Sequence, residues 1–329
     1  MNILLVHNQK IPALLYGGTE RIVYYLGKEL VQMGHRVQFL VPENSQCDFA
    51  KIIYRNPSTS LQNQIPSDVD IVHFHNLPEN SPALHKPYLI TQHGNAQAQQ
   101  ELDCNTVFVS NNHAQRHGSH CFVYNGLDWQ DYSKPELSRK RNHFHFLGKA
   151  AWRVKNVKGA IRVILNTPSE TLCVLGGVRF NFSMGLRFTF SPRIHFYGMV
   201  GGRKKDELLN GSKGLIFPVR WHEPFGLSII ESLYFGCPVL GTPYGSLPEL
   251  ISPPYGYLST HSGELTEALL NIDAYDRKSC HEYAREYFNS QQMAEKYLPI
   301  YEQVLAGKPL HPINPTLQIT SDPKFLNFS

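Results

Sequence analysis

Two carboxylates eight positions apart, Glu223 and Glu231, bracket the start of a stretch that is otherwise almost wholly apolar. Residues 225–235 read as one helix, greasy on nearly every face apart from Ser228 and Glu231, which is the pattern of a buried helix. A carboxylate on such a helix is costly without a partner, so Glu231 needs a cation or a ligand. Glu223 belongs to the loop just ahead. The run Leu215-Ile216-Phe217 before it reads as a buried parallel strand. Ligands of open α/β sheets gather beyond the carboxyl ends of such strands. Glycine at 226 lets the backbone amides of Phe225, Gly226 and Leu227 face an oxygen-rich ligand. Glu231 lies roughly 7–8 Å beyond Gly226 along the axis at ~1.5 Å per residue, so a ligand touching both carboxylates is extended. The plainer alternative is that Glu231 pairs with an internal cation and Glu223 caps the helix.

Three other groups have the right types for chemistry. Gly148-Lys149 ends a predicted strand and Lys155 follows six residues later. Two lysines there would neutralise a diphosphate, including charge that develops as it leaves; with Arg153 and Lys158 nearby, a solvated basic loop explains them equally well. Gly17-Gly18-Thr19-Glu20-Arg21 is a glycine turn opening a helix, a phosphate-binding arrangement or simply a tight turn. No full G-x-G-x-x-G follows the first strand, which disfavours a nicotinamide dinucleotide. His7, His73 and His93 fall at predicted strand ends; taken singly, each is best read as a polar cap. Metal binding by His73 and His75 is discounted, since no carboxylate or cysteine stands at ligand spacing.

The elements that must position these groups alternate as strands and helices. Ile3-Leu4-Leu5-Val6, a helix from Thr19 through Leu30, and Val37 to Val41 make a β-loop-α-β unit. Further strands are expected at 70–73, 88–91, 106–109 and 121–124, then a polar linker over 125–142. A second set follows at 145–148, 172–175, 194–197, 215–217 and 238–240, with a helix over 156–165. The chain turns helical over 262–305, where Pro299 is expected to interrupt or kink it. The fold class is therefore α/β, in two doubly wound halves. The domains are 1–130, 131–289, and a C-terminal helix and tail over 290–329 expected to cross back to the first. Residues 179–190 alternate apolar and polar strictly, a strand or hairpin expected to pack its greasy face on the second domain. The sharper reading is a flap touching an acceptor, a partner or a membrane surface.

The 329 residues, 42% hydrophobic and 12% aromatic, suffice for two cores. A net charge of +4 is too small to imply nucleic acid but suits a polyanionic small molecule. Six scattered cysteines form no C-x-x-C pair, which argues against zinc and disulfide scaffolds and for free thiols in a reducing cytoplasm. No apolar segment is long enough to span a bilayer, and peripheral membrane contact stays open.

Taken together, Glu223-Pro224-Phe225-Gly226-Leu227 with Glu231, Gly236-Cys237-Pro238-Val239, and Gly245 with Glu249 resemble the signature of retaining GT-B glycosyltransferases of family 4, the group 1 type. The resemblance extends to Gly17-Gly18-Thr19-Glu20-Arg21, His93, Asn125-Gly126-Leu127-Asp128, and Lys149 with Lys155. It implies two Rossmann-like domains facing across a cleft. By the same resemblance, Glu231 would hold the donor ribose, and Glu223 with the amides of Phe225, Gly226 and Leu227 the donor sugar. Lys149 and Lys155 would hold the leaving diphosphate, His93 would lie near the transferred sugar, and Gly17 and Gly18 would border phosphate or acceptor. The implied reaction is metal-independent transfer from a UDP- or GDP-linked sugar, without a further cofactor. The acceptor would be a lipid-linked sugar, a polysaccharide or a small molecule, and the location cytoplasmic or peripheral at the inner membrane face. Two departures stand out: lysine replaces the usual arginine at 149, losing the bidentate fork, and the 179–190 segment has no counterpart. A non-catalytic nucleotide-sugar binder and a GT-B epimerase or hydrolase are the alternatives.

Overall fold

The computed structural model describes residues 1–13, 17–76, 84–182 and 186–329. Residues Met1–Asp128 with Phe288–Thr320 form one compact unit, and Trp129–Tyr287 with Ser321–Ser329 a second.

Unit 1 begins with strands β1 (Asn2–Val6), β2 (Arg36–Val41), β3 (Lys51–Tyr54), β4 (Ile71–Phe74), β5 (Tyr88–Gln92) and β6 (Thr106–Phe108), and helices α1 (Thr19–Gln32) and α2 (Asn111–Gln115). The sheet order is β3-β2-β1-β4-β5-β6, every pairing parallel. β1 and β4 are buried along their whole length, as strands covered on both faces are, and Leu4, Val6, Leu40, Val72, Phe74 and Ile90 form one core cluster.

Unit 2 holds β7 (His143–Leu147), α3 (Val157–Leu165), β8 (Leu172–Leu175), β9 (Phe180–Asn181), β10 (Arg187–Phe188), β11 (Ile194–Phe196), α4 (Gly202–Asn210) and β12 (Ser212–Phe217). It continues with α5 (Leu227–Tyr234), β13 (Val239–Gly241), α6 (Leu247–Leu250), β14 (Gly256–Leu258), α7 (Ser262–Leu270) and α8 (Arg277–Tyr287). Its main sheet runs β11-β8-β7-β12-β13-β14, again all parallel. Helix α9 (Ser290–Leu305) returns to unit 1 and packs on α1, with Ser290 donating to Glu29 at 2.7 Å. The last nine residues cluster with unit 2, where Leu326 donates its amide to Arg220 and Ser329 bonds Thr260 and Ser262.

Both sheets show the doubly wound strand order, with the direction of winding reversing between β1 and β4 and between β7 and β12. That reversal opens a crevice at the strand carboxyl ends, which is where His7, His75, Lys149 and the loop carrying Glu223 fall in the chain.

Several sequence expectations need correction. Residues 121–124 form no strand; only Phe122 bridges to Phe108. The helical region over 262–305 resolves into α7, α8 and α9. Pro299 lies inside α9 without ending it, because the fully buried Tyr297 and Tyr301 on either side pin both halves. The 179–190 segment does form a hairpin, β9 antiparallel to β10, but its faces are reversed from the packing expected. Arg179 and Arg187 turn inward, donate to the carbonyls of Thr189, Ser191, Ile194 and Val178, and stack on Phe196. The aromatic face is the exposed one. Ser183, Met184 and Gly185 lie outside the described residues.

Candidate functional site

The site in unit 2 is built on the loop between β12 and α5. Its backbone is held by Gly245-Ser246: residue 245 bridges Glu223 in parallel register, Ser246 donates its amide to the Glu223 carbonyl at 2.9 Å, and its hydroxyl donates to the Phe225 carbonyl at 2.7 Å. Gly245 has φ +65, and a Cβ there would stand 2.2 Å from the Glu223 nitrogen, so only glycine permits this approach. Gly226 caps α5 in a left-handed conformation, φ 90, and as a glycine adds no side-chain cap hydrogen bond. At the other end, the buried Arg141 donates to the carbonyls of Phe235 and Gly236 at 2.6 and 3.1 Å. A cation there complements the helix dipole. Both ends of α5 are thereby fixed.

Glu223 is buried, with Oε2 accepting from Lys155 Nζ at 2.6 Å and from Trp221 Nε1 at 2.8 Å. Lys155 ends a short 3-10 turn (Arg153–Lys155), and its ammonium lies over the rings of Trp221 and Phe217. Trp152 packs edge-on against Trp221, and exposed Lys149 sits 5.4 Å from the Trp152 ring centre. The structure therefore joins Lys155 and Glu223 directly and links Lys149 to them through the tryptophan pair. Such aromatic neighbours orient a cation without neutralising it.

Glu231 is treated differently. It is 3% exposed and pairs with Lys205 of α4, itself 8% exposed, at 2.5 Å; Tyr132 donates to the same oxygen at 3.0 Å. The internal cation left open by the sequence reading is thus present, and the ribose role must be compatible with it. Lys205 was missed, although a signal existed: it shares a helix face with Leu208 and Leu209, at spacings of three and four. Trp221 and Tyr132 were also missed as partners, since hydrogen-bond donors of aromatic residues carry no spacing signature.

In unit 1, Gly18 is the residue capping α1, and Arg21 donates to the Gly17 carbonyl at 2.6 Å. His93 follows β5 and stacks with His75, their Nε2 and Nδ1 atoms 3.0 Å apart, so one donates to the other. His75 stacks in turn on His73 and lies edge-on to His7. His73 is not a strand-end group: it lies within β4 and bonds Tyr301 of α9 at 2.8 Å and Thr91 at 2.7 Å. Burial pushes His93 down to about 3, with His7 adding to the effect, and His7 down to about 4 against the pull of Asn76. His73 and His75 are held well below the ordinary value by burial first. These rings are neutral at physiological pH.

This cluster has a stability consequence. The folded pKa values lie below the unfolded value of 6.5, so the unfolded chain takes up protons first as pH falls. Stability is full above pH 6.5 and is lost toward about pH 4 for His7 and about pH 3 for His93. A His7→Gln variant should flatten the fall of the denaturation midpoint between pH 6.5 and 4, by at most about 1.4 kcal/mol per pH unit. Identical pH profiles for variant and parent would refute the assignment.

No helix among the described residues is long and apolar enough to cross a membrane. All six cysteines are unpaired.

The family model described as Glycosyl transferases group 1 matches residues 129–287, and that described as Glycosyltransferase Family 4 matches residues 16–155. Among curated proteins, a probable sucrose-phosphate synthase of Thermosipho melanesiensis is 34% identical over 95 residues, covering 28% of this chain and 22% of that one. An uncharacterized 41.2 kDa protein of the cps region of Klebsiella pneumoniae is 26% identical over 114 residues, covering 32% of each. The matches thus span a third or less of these relatives' lengths. Solved structures align over nearly whole chains. AviGT4, a glycosyltransferase involved in avilamycin A biosynthesis, has a TM-score of 0.72 at 19% identity, covering 93% of this chain and 98% of its own. A sucrose-phosphate synthase from Thermosynechococcus elongatus has 0.69 at 16%, covering 93% and 100%. HepE of Anabaena, in complex with UDP and glucose, has 0.64 at 13%, covering 92% and 99%.

Proposed function

Since this chain belongs to the group 1 glycosyltransferases of the GT-B fold, family 4 type, we propose that it moves a sugar from a nucleoside-diphosphate sugar to an acceptor hydroxyl. Retention of the anomeric configuration and independence from a metal ion belong to the proposal. The observation that carries it is the Lys155–Glu223 pair at 2.6 Å beside the glycine-capped amino end of α5. A carboxylate that accepts sugar hydroxyls and a lysine that meets a phosphate stand side by side there, as a nucleotide sugar's two ends require.

In this reading Glu223 and the amides of Phe225, Gly226 and Leu227 orient the sugar. Lys155 and Lys149 stabilise negative charge that builds on the departing diphosphate. Glu231 holds the ribose hydroxyls, with Lys205 compensating its charge. His93, uncharged and oriented by His75, offers a hydrogen bond to the transferred sugar. The acceptor hydroxyl attacks on the face the diphosphate leaves, and the diphosphate takes its proton, so no side chain becomes a covalent nucleophile. Gly17 and Gly18 border phosphate or acceptor. The donor nucleoside is uridine or guanosine, and the acceptor a lipid-linked sugar, a polysaccharide or a small molecule at the cytoplasmic face of a membrane or in the cytoplasm.

The test is a panel of UDP- and GDP-sugars with and without candidate acceptors, followed by release of nucleoside diphosphate and the configuration of the product. Acceptor-dependent release with retained configuration is the expected result. Release without acceptor would replace transfer by hydrolysis, an altered sugar without release by epimerisation, and binding without turnover by a non-catalytic role.

A further inference from the structure

The β9–β10 hairpin carries its hydrophobic side chains toward solvent. Val178, Phe180, Phe182, Leu186, Phe188 and Phe190 alternate with inward-facing polar residues, and Phe182, Leu186 and Phe190 are 72%, 62% and 81% exposed. The phenylalanine rings lie against one another, with centroids 5.6–6.1 Å apart, so the face is one contiguous patch. Patches of this kind on a soluble surface mark an interaction site. Toward its turn end, Leu186 and Arg187 help line a cavity of about 300 Å³ with Trp152, Arg153, Lys158 and Arg220, and among the described residues no carboxylate belongs to the lining. Arg153 and Arg220 stack on Phe325, which holds both cations at this cavity.

We propose that this hairpin docks unit 2 on an anionic lipid bilayer, the aromatic face entering the acyl boundary and the cations of the adjoining cavity meeting lipid phosphates. Charge complementarity selects this occupant. A two-fold contact between copies brings identical patches together, and would set the cation cluster of each copy near its twin. A stable dimer also needs about 800 Å² per partner, whereas the hairpin presents six side chains on two short strands. An apolar ridge beside exposed basic residues is what the interface of an anionic leaflet accommodates. The inference rests on the hairpin and the cations of the adjoining cavity, and is independent of the transferase reading.

The experiment is co-sedimentation of the full chain with phosphatidylglycerol/phosphatidylcholine vesicles and with pure phosphatidylcholine vesicles, at low and high salt. The parent should partition onto the anionic vesicles, less so at high salt. F182S/F190S should lower the partition coefficient by about tenfold or more, and R153Q/K158Q should do so mainly at low salt. Phe182 and Phe190 are exposed and outside the proposed donor site, so thermal unfolding and donor turnover of F182S/F190S should match the parent. As a readout independent of loss, a Phe190→Trp variant should gain fluorescence quenched by brominated acyl chains. Equal binding to both vesicle types, parent-like partition of F182S/F190S, or an unquenched Trp would overturn the proposal. A concentration-dependent dimer that F182S/F190S converts to monomer would assign the patch to a second copy instead.

Discussion

Glu223→Gln is expected to lower the transfer rate by about 10²-fold, the scale on which misplacement of a reacting group acts. The substitution keeps an acceptor for Trp221 Nε1, which stands 2.8 Å from Glu223 Oε2, but removes the charge that faces Lys155. Lys155→Ala should be equally damaging for a different reason, because it strips the diphosphate of its partner and leaves a 6% exposed carboxylate without its cation. The two variants separate by mechanism. Loss of a contact made only in the transition state lowers kcat, while loss of uniform donor binding raises KM. Full activity of either variant with the true donor would remove Glu223 and Lys155 from the site. Circular dichroism melts are the control, since the pair is buried enough for either single change to cost stability as well.

Lys205→Met is expected to destabilise unit 2 by about 3 kcal/mol or more, because it leaves Glu231 as an uncompensated buried charge. The two side chains are nearly inaccessible and 2.5 Å apart, and the Tyr132 hydroxyl donates to the same oxygen. The paired variant Lys205→Met with Glu231→Met should recover most of that loss, as replacing both members of a buried ion pair by apolar residues often does. It also divides the two meanings of Glu231. If the carboxylate holds the donor ribose, the refolded double variant should bind nucleotide at least about tenfold more weakly, as expected when a hydrogen-bonded hydroxyl loses its buried partner. Parent-like nucleotide affinity in the double variant would reduce Glu231 to a structural partner of Lys205.

Much of this architecture was legible before any coordinates. Apolar runs bounded by turns located β1, β4, β7 and β12, since a strand buried on both faces needs nothing but apolar residues. The alternation over 179–190 announced a strand or a hairpin with one apolar face. The greasy helix with one carboxylate announced a buried charge in need of a partner, and the spacing of Glu223, Gly226 and Glu231 located the candidate site. These are local properties: period, propensity and the cost of burying a charge are all written within a dozen consecutive residues.

What only the tertiary structure decided is which groups those features meet. Periodicity states which side chains share a face but not which face turns inward, and the hairpin turned its phenylalanines out because Arg179 and Arg187 found backbone carbonyls to satisfy. The partner of Glu231 stands 26 residues away on α4, the clamp on Glu223 comes from Gly245 on a neighbouring strand's loop, and His73 bonds Tyr301 across 228 positions. Hydrogen bonds and ion pairs act over a few ångströms of space and are indifferent to separation along the chain. The sequence by itself therefore determined that a carboxylate on a buried helix, with a second in the loop after a parallel strand, would need partners; the packing of the sheets decided that Glu223 answers to Lys155 and Glu231 to Lys205.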